Sequence, residues 1–236
     1  MSRRAKLALV LGAGAVLAAA LIVASVLVSR EDETKSVAPR STLPGAADVI
    51  AELRGIPQHR FVLGRANAPV TMVEYADLQC PFCAQWAIYV FAELARDYVR
   101  TGKLRLEWRG LAFIGQESVD ALRAIDAAAL QDRLWHMVEI VYRSQGPENG
   151  GWVTDDFIRA AARSIPGLDV DKLLADRDAP FVADAIARAE EQARAAGVNR
   201  TPSFQIGRTG GKLELMQFSK LEPGPFKDAV EEQLRR

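Results

Sequence analysis

The sequence is short of metal ligands. Its 236 residues hold two cysteines, Cys80 and Cys83, and two histidines, His59 and His136. A Cys-x-x-Cys pair supplies only half of a tetrahedral zinc site. The two histidines are single, far apart and in no His-x-x-x-His or Cys-x-x-His arrangement, so no metal site is expected. There is no glycine-rich phosphate loop and no internal repeat, and no cofactor is implied. Excess positive charge is missing as well: Lys and Arg number 30 against 30 Asp and Glu, and from Glu31 onward the balance is mildly acidic, 26 against 30. Without a basic stripe to track phosphates, nucleic acid is excluded as a partner. With 49% apolar and 25% charged residues, the length allows one domain with a sizeable core plus an appendage.

The two cysteines stand three residues apart in Cys80-Pro81-Phe82-Cys83, after an apolar run from Val70 to Ala76 and at the start of an amphipathic stretch. A thiolate at a helix start meets unpaired backbone N–H groups and the positive end of the helix dipole, which favours its ionised form. Cys80 is therefore placed to be a reactive thiol. Pro81 suits the first helical position, where its missing N–H has no partner to lose. Cys83, one turn on, is expected to be more buried. Two such sulfurs can close a disulfide and reopen it by exchange with another molecule's thiols.

The appendage comes first. Leu7 to Val28 is a run of 22 residues without a charge, about 33 Å long as a helix and enough to cross the hydrocarbon of a bilayer. Arg3, Arg4 and Lys6 precede it and Glu31, Asp32 and Glu33 follow Arg30. The positive-inside bias then keeps the N-terminus cytoplasmic and places the rest outside, as a single-pass membrane protein. Ala18-Ala19-Ala20 resembles a signal-peptidase site, but the run is longer than an ordinary signal core, which favours an uncleaved anchor. The first cysteine is Cys80, so a lipoprotein is excluded. Either reading puts the cysteine pair in an oxidising space where a disulfide persists.

Three domains are expected: residues 1–30 as cytoplasmic N-terminus and transmembrane anchor, 31–60 as linker, and 61–236 as the folded domain. Pro39, Pro44, Gly45, Gly55 and Pro57 mark the linker, within which Ala46 to Arg54 could form a short helix. Phe61 to Leu63 is a short strand, and Val70 to Ala76, apolar on both faces, a central covered one. Glu74 breaks that run. A carboxyl within a buried strand is costly unless neutral or partnered, so Glu74 is either a proton acceptor near the deeper thiol or an acid at a strand edge reaching water. A helix follows from Pro81 to about Arg100, with Cys83, Ala87, Val90, Phe91, Leu94 and Tyr98 on its inner face. Lys103 to Arg109 alternates as a half-exposed strand, completing a βαβ unit.

Residues 116–197 contain no good strand and read as helices, at about Glu117–Leu130, Asp132–Tyr142, Asp155–Arg163, Asp169–Asp176 and Pro180–Ala196, with Thr154, Asp155 and Asp169 as N-caps. Strands return at Pro202–Ile206 and Leu213–Phe218, joined by Gly207 to Gly211, and a last helix runs from about Pro225 to Leu234. Pro202 at the start of a strand is permitted, since that residue need not donate to the ladder. Asn199-Arg200-Thr201 matches a glycosylation sequon, a coincidence in this setting, because a glycan there would obstruct the site.

From about Phe61 to Arg236 the chain resembles the DsbA-like family of thiol-disulfide oxidoreductases, in particular its membrane-tethered bacterial members. Glu74-Tyr75-Ala76-Asp77, Cys80-Pro81-Phe82-Cys83, the long helical insertion and Arg200-Thr201-Pro202-Ser203-Phe204 carry the resemblance. It implies an α/β, thioredoxin-like fold with an inserted helical domain at about 116–197, preceded here by one transmembrane helix. It also implies an exposed nucleophile at Cys80, a resolving thiol at Cys83, a buried acid at Glu74, and a cis proline at Pro202 whose preceding Thr201 offers free backbone to a substrate strand. Pro81 and Phe82 would add to the substrate surface, although Phe82 could equally pack on the fold's own insertion.

The expected function is thiol-disulfide exchange on exported or unfolded proteins, with the Cys80–Cys83 disulfide donated to substrate thiols and restored by a membrane redox partner. No histidine lies between the cysteines, and threonine before the proline also occurs in reductase and isomerase relatives. A reductase or isomerase is therefore the alternative within the class. A tethered peptide-binding module with a structural bridge is the alternative outside it.

Overall fold

The computed structural model describes residues 42–236. The expected anchor, Leu7 to Val28, lies outside the described residues, and among the described residues no helix is long and apolar enough to cross a membrane.

A six-stranded sheet forms the centre, in the order β1-β2-β4-β3-β5-β6. The strands are β1 (Gln58–His59), β2 (Val62–Leu63), β3 (Val70–Ala76), β4 (Leu104–Gly110), β5 (Ser203–Arg208) and β6 (Glu214–Leu215). β3 is parallel to β4 and antiparallel to β5. Every residue of β3 is buried, as its apolar run on both faces predicts. β4 alternates buried and half-buried residues along its length.

The linker expected over 31–60 is corrected where the structure describes it. Helix α1 (Ala46–Leu53) buries Ala46, Val49 and Leu53, and Ile56 continues the same stripe into the core. Those spacings put Ala46, Val49 and Leu53 on one helical face, and that face outweighs the prolines and glycines around it. Arg100 caps the C-terminal end of α1 by donating to the carbonyls of Glu52 at 2.7 Å and Arg54 at 2.6 Å. The fold thus begins before Phe61.

Helix α2 runs from Pro81 to Val99 without a break, but its turns change pitch. Pro81–Trp86 and Ala92–Leu94 are α-helical, while Ala87–Phe91 and Ala95–Val99 are π-helical. The widened turns let both members of the adjacent pairs Trp86 and Ala87, Val90 and Phe91, Leu94 and Ala95 face inward. The helical segments after β4 are α3 (Gln116–Ala128), α4 (Leu134–Arg143), α5 (Asp155–Arg163), α6 (Val170–Asp176) and α7 (Pro180–Ala195). Thr154 caps α5 through Phe157 N at 3.1 Å and Asp169 caps α6 through Lys172 N at 3.0 Å; Asp155 is the first residue of α5 rather than its cap. α8 (Pro223–Arg235) closes the chain.

The strand expected at Leu213–Phe218 is reduced to Glu214–Leu215. The chain leaves the sheet edge there because Phe218 turns inward, packing edge-on against Phe204 at 5.7 Å and against Phe226 at 5.4 Å. Gly207, expected in the connection, belongs to β5. A Cβ on it would sit 2.4 Å from the Lys212 carbonyl, so only glycine lets the hairpin close that tightly.

One face of the sheet carries the large core, covered by α2, α4 and α8. The other carries a small cluster of Val73, Tyr75, Leu111, Ala193 and Val198 under α7.

Candidate active site

The site is built at the C-terminal end of β3, where the chain leaves the sheet and enters α2. Asp77 organises the turn. Its Oδ1 accepts from Gln79 N at 2.8 Å and Ser118 Oγ at 2.7 Å, and its Oδ2 from Phe113 N at 2.7 Å and Ile114 N at 3.0 Å. Four donors on one buried carboxyl tie the loop to both the strand β4 exit and α3. The insertion adds further braces. Gln145 Nε2 donates to the carbonyls of Leu78 at 2.8 Å and Cys80 at 3.2 Å, and Tyr142 Oη donates to Asp77 O at 3.2 Å. Gln79 is gripped in turn by Asn149 N at 2.6 Å. Apart from the local Gln79 N bond, motif reading finds none of these polar braces, because they come from loops and helices 36 to 70 residues away.

Cys80 sits at the N-cap of α2 in extended conformation, with Pro81 at the first helical position. Both cysteines are free thiols. Cys83 has no exposure, and Cys80, expected to be exposed, keeps only 5%. The difference comes from the loop before β5: the Thr201–Pro202 peptide bond is cis, and the Cys80 thiol donates to Thr201 O at 3.4 Å. Pro202 is buried beside it and Thr201 half-buried. Pro81 and Phe82 face outward, Phe82 with 57% of its surface exposed.

The two thiols have opposite electrostatics. Donation from Cys83 is the largest influence on Cys80 and, with the Thr201 side chain and the backbone amides of Cys83 and Phe82, pulls its pKa down to about 6 against the cost of burial. The Thr201 carbonyl favours the thiol form, but these several donors outweigh it. Cys83 moves the other way: burial, its donation to Cys80, and the charges of Cys80 and Glu74 all push it well above the ordinary thiol range.

Glu74 is central in the sheet, opposite Trp108 of β4 and Phe204 of β5. It is not an edge acid reaching water. It is buried, neither carboxyl oxygen has a partner, and burial, then the Cys80 charge, push its pKa well up. Two further buried acids escape motif reading, Glu139 on α4 and Asp126 on α3. Glu139 carries a sequence signal, an acid inside the otherwise apolar stretch Met137 to Val141.

The arrangement is a dithiol with one ionisable, peptide-facing sulfur, one shielded sulfur and an unpartnered acid behind it, suited to forming and resolving disulfides. The thioredoxin family model matches residues 58–220. The chain is similar to "Probable disulfide bond formation protein D" of Bacillus cereus, 26% identical over 177 residues that cover 74% of this chain and 78% of that one. Among solved structures, oxidised BdbD of Bacillus subtilis superposes with a TM-score of 0.65 at 21% identity, covering 77% of this chain and 98% of that one. A thioredoxin-like oxidoreductase from Silicibacter pomeroyi gives 0.60 at 28% identity, covering 80% and 98%. The chain belongs to the thioredoxin family, with the fold of its DsbA-like members, and is a protein thiol-disulfide oxidoreductase.

Proposed function

We propose that the chain is a membrane-anchored oxidant that passes its Cys80–Cys83 disulfide to exported or unfolded proteins. The observation that carries this reading is the inequality of the two thiols, Cys80 lowered to about 6 and Cys83 raised. A substrate thiolate attacks Cys80 Sγ and breaks the Cys80–Cys83 bond, and Cys83 leaves with the electron pair and takes a proton from Glu74. A second substrate thiolate then attacks the substrate sulfur held on Cys80. The substrate disulfide forms and Cys80 departs as a thiolate, which is its stable form at neutral pH. Substrate loses two electrons and the protein gains them, and a membrane redox partner removes them again. Thr201 and Pro202 present backbone to the substrate strand, while Phe82, exposed beside the sulfurs, offers apolar contact.

Leu7 to Val28 supplies the anchor, with the N-terminus cytoplasmic and the catalytic domain outside. A stabilised Cys80 thiolate favours the reduced protein, which makes its disulfide the stronger oxidant. The test is a redox titration of the full chain against glutathione, together with trapping in cells. Cys83→Ser should accumulate mixed disulfides with exported proteins and Cys80→Ser none. A largely reduced resting pool with a potential as low as that of thioredoxin-type reductants would reassign the chain as a reductase or isomerase. A disulfide that resists mild thiol reductant would make it a binding module with a structural bridge.

A further inference from the structure

A second acid shares the buried layer behind the cysteines. Trp135, Glu139 and Tyr142 follow one another at i, i+4 and i+7 on α4 and so form one stripe. The outer two fix where that stripe points, because the Trp108 ring packs edge-on against both Trp135 at 6.3 Å and Tyr142 at 6.4 Å. Trp108 is the register partner of Glu74, and register partners on adjacent strands share a face. Glu139 is thus aimed at the sheet where Glu74 rises from it, in the layer that also holds Cys83. Both acids are buried, and all four of their carboxyl oxygens lack a partner.

We propose that Glu74 and Glu139 act as one proton-holding carboxyl pair for Cys83, with Glu139 a positioning residue that sets the proton affinity of Glu74. The proposal rests on the disulfide-exchange reading above. When Cys83 leaves Cys80 as a thiolate and takes a proton from Glu74, one negative charge is left on the pair, and Glu139 can pass its own proton to Glu74 to share it. When Cys83 re-forms its bond to Cys80, its proton returns to the pair. The cycle therefore needs one proton stored in the dry interior, and two carboxyls spread the resulting charge where one would carry it alone.

The charged surroundings agree. After burial, the Glu74 charge is the largest influence raising Glu139; Arg143, one turn along α4, lowers it, and Glu52 of α1 raises it. Arg143 is already paired with Glu52, and its Nε has no partner, so no salt bridge neutralises Glu139 outright. Tyr142, pushed up by burial first and then by Cys83 and Glu74, stays a neutral phenol donating to Asp77 O.

The experiment uses the full chain in both redox states, with side-chain carboxyl carbons of glutamate labelled for NMR, and the pH profile of dithiol exchange in wild type, Glu139→Gln and Glu139→Asp. The expected result is a pair of buried carboxyl signals that titrate together in two steps and move when the dithiol is oxidised. In Glu139→Gln the limb of the exchange profile that depends on Glu74 should move to higher pH by about one unit, since Glu74 must then carry the negative charge alone. Glu139→Asp should restore it, and the Cys80 thiolate midpoint should stay near about 6. Independent single-step titrations in the wild type would overturn the proposal even if the glutamine variant failed to fold. So would an unmoved limb in a folded variant. A wild type that exchanges no disulfides would instead sink the functional reading, while leaving the coupled titration to be seen or not.

Discussion

The two faces of the central sheet handle charge in opposite ways. On the face beneath α7, Glu107 stands between Arg105 and Arg109 and binds each at 2.8 Å. On the face beneath α2 and α4, Glu74 and Glu139 have no partner at all. Depth alone does not separate them, because Asp77 is as buried as Glu74 and yet accepts from four donors. Partners do. A carboxyl held by several donors is fixed in place and serves the fold, whereas one with none gains or loses a proton as its neighbours change. Glu74 and Glu139 lie behind the dithiol.

The largest break in this comparison comes from Glu74→Gln. Turnover at neutral pH should fall by about a hundredfold, the usual worth of a positioned proton donor, when exchange with a dithiol peptide is followed by stopped flow. Stability should not fall with it. Burial raises the folded-state pKa of Glu74, so the acid's contribution is fully present below its unfolded value and is lost as pH rises through the folded one. The glutamine variant should therefore match or exceed wild type at pH 7 and show no gain in acid. Equal loss of stability and turnover would mean that Glu74 is a packing residue like any other.

Asp126→Asn sharpens the rule by separating unpartnered acids from catalytic ones. Asp126 lines a cavity of about 120 Å³ with Trp108, Arg109 and Gln192, and burial, only partly offset by Trp108 and Arg109, raises it to about 8. It has no thiol to serve. By the same linkage its folded form is favoured below the ordinary aspartate value of 3.8 and loses that advantage as pH rises toward about 8. Asp126→Asn should add about 2 kcal/mol at pH 7, nothing below pH ~4, and leave exchange unchanged, as denaturant titrations at the two pH values would read. A drop in exchange would place Asp126 in the proton pathway.

How much of this could be read from the chain depends on how local the cause is. β3, α2 and the dithiol between them are legible because apolar period, the Pro81 position and Cys-x-x-Cys all act within a few residues. Glu74 stands out as a single acid in a strand buried along its whole length. Glu139 interrupts a similar run, but a helix always has an outer face for an acid to occupy, and only the Trp108 contacts with Trp135 and Tyr142 reveal that this one points inward. The cover over Cys80 comes from Thr201, 121 residues away, and no local signal announces it. α1 is legible as a short helix, but its place in the core is not: Pro44, Gly45, Gly55 and Pro57 bracket a stripe of only four apolar residues, and what the stripe packs on is distant in sequence.

The smallest effect belongs to the partnered face, and its smallness is the point. Glu107→Gln removes a charge that bridges two guanidinium groups, yet neither arginine is left without bonds. Arg105 keeps Thr71 Oγ1 at 2.9 Å and Ala66 O at 3.3 Å, and Arg109 keeps Gln192 Oε1 and Trp108 O, the latter at 2.8 Å. The loss should be that of a partly exposed ion pair, about 1 kcal/mol, rather than the about 3–5 kcal/mol of a buried charge stripped of its partner. For a chain of this size it should lower Tm by about 2–4 °C, with the shift shrinking in high salt as the wild-type pair is screened. Exchange kinetics and their pH profile should not move, since Glu107 points away from the layer that holds Cys83. A thermal melt and a stopped-flow trace on the same variant decide it: slowed exchange with an unchanged melt would reverse the assignment of the two faces.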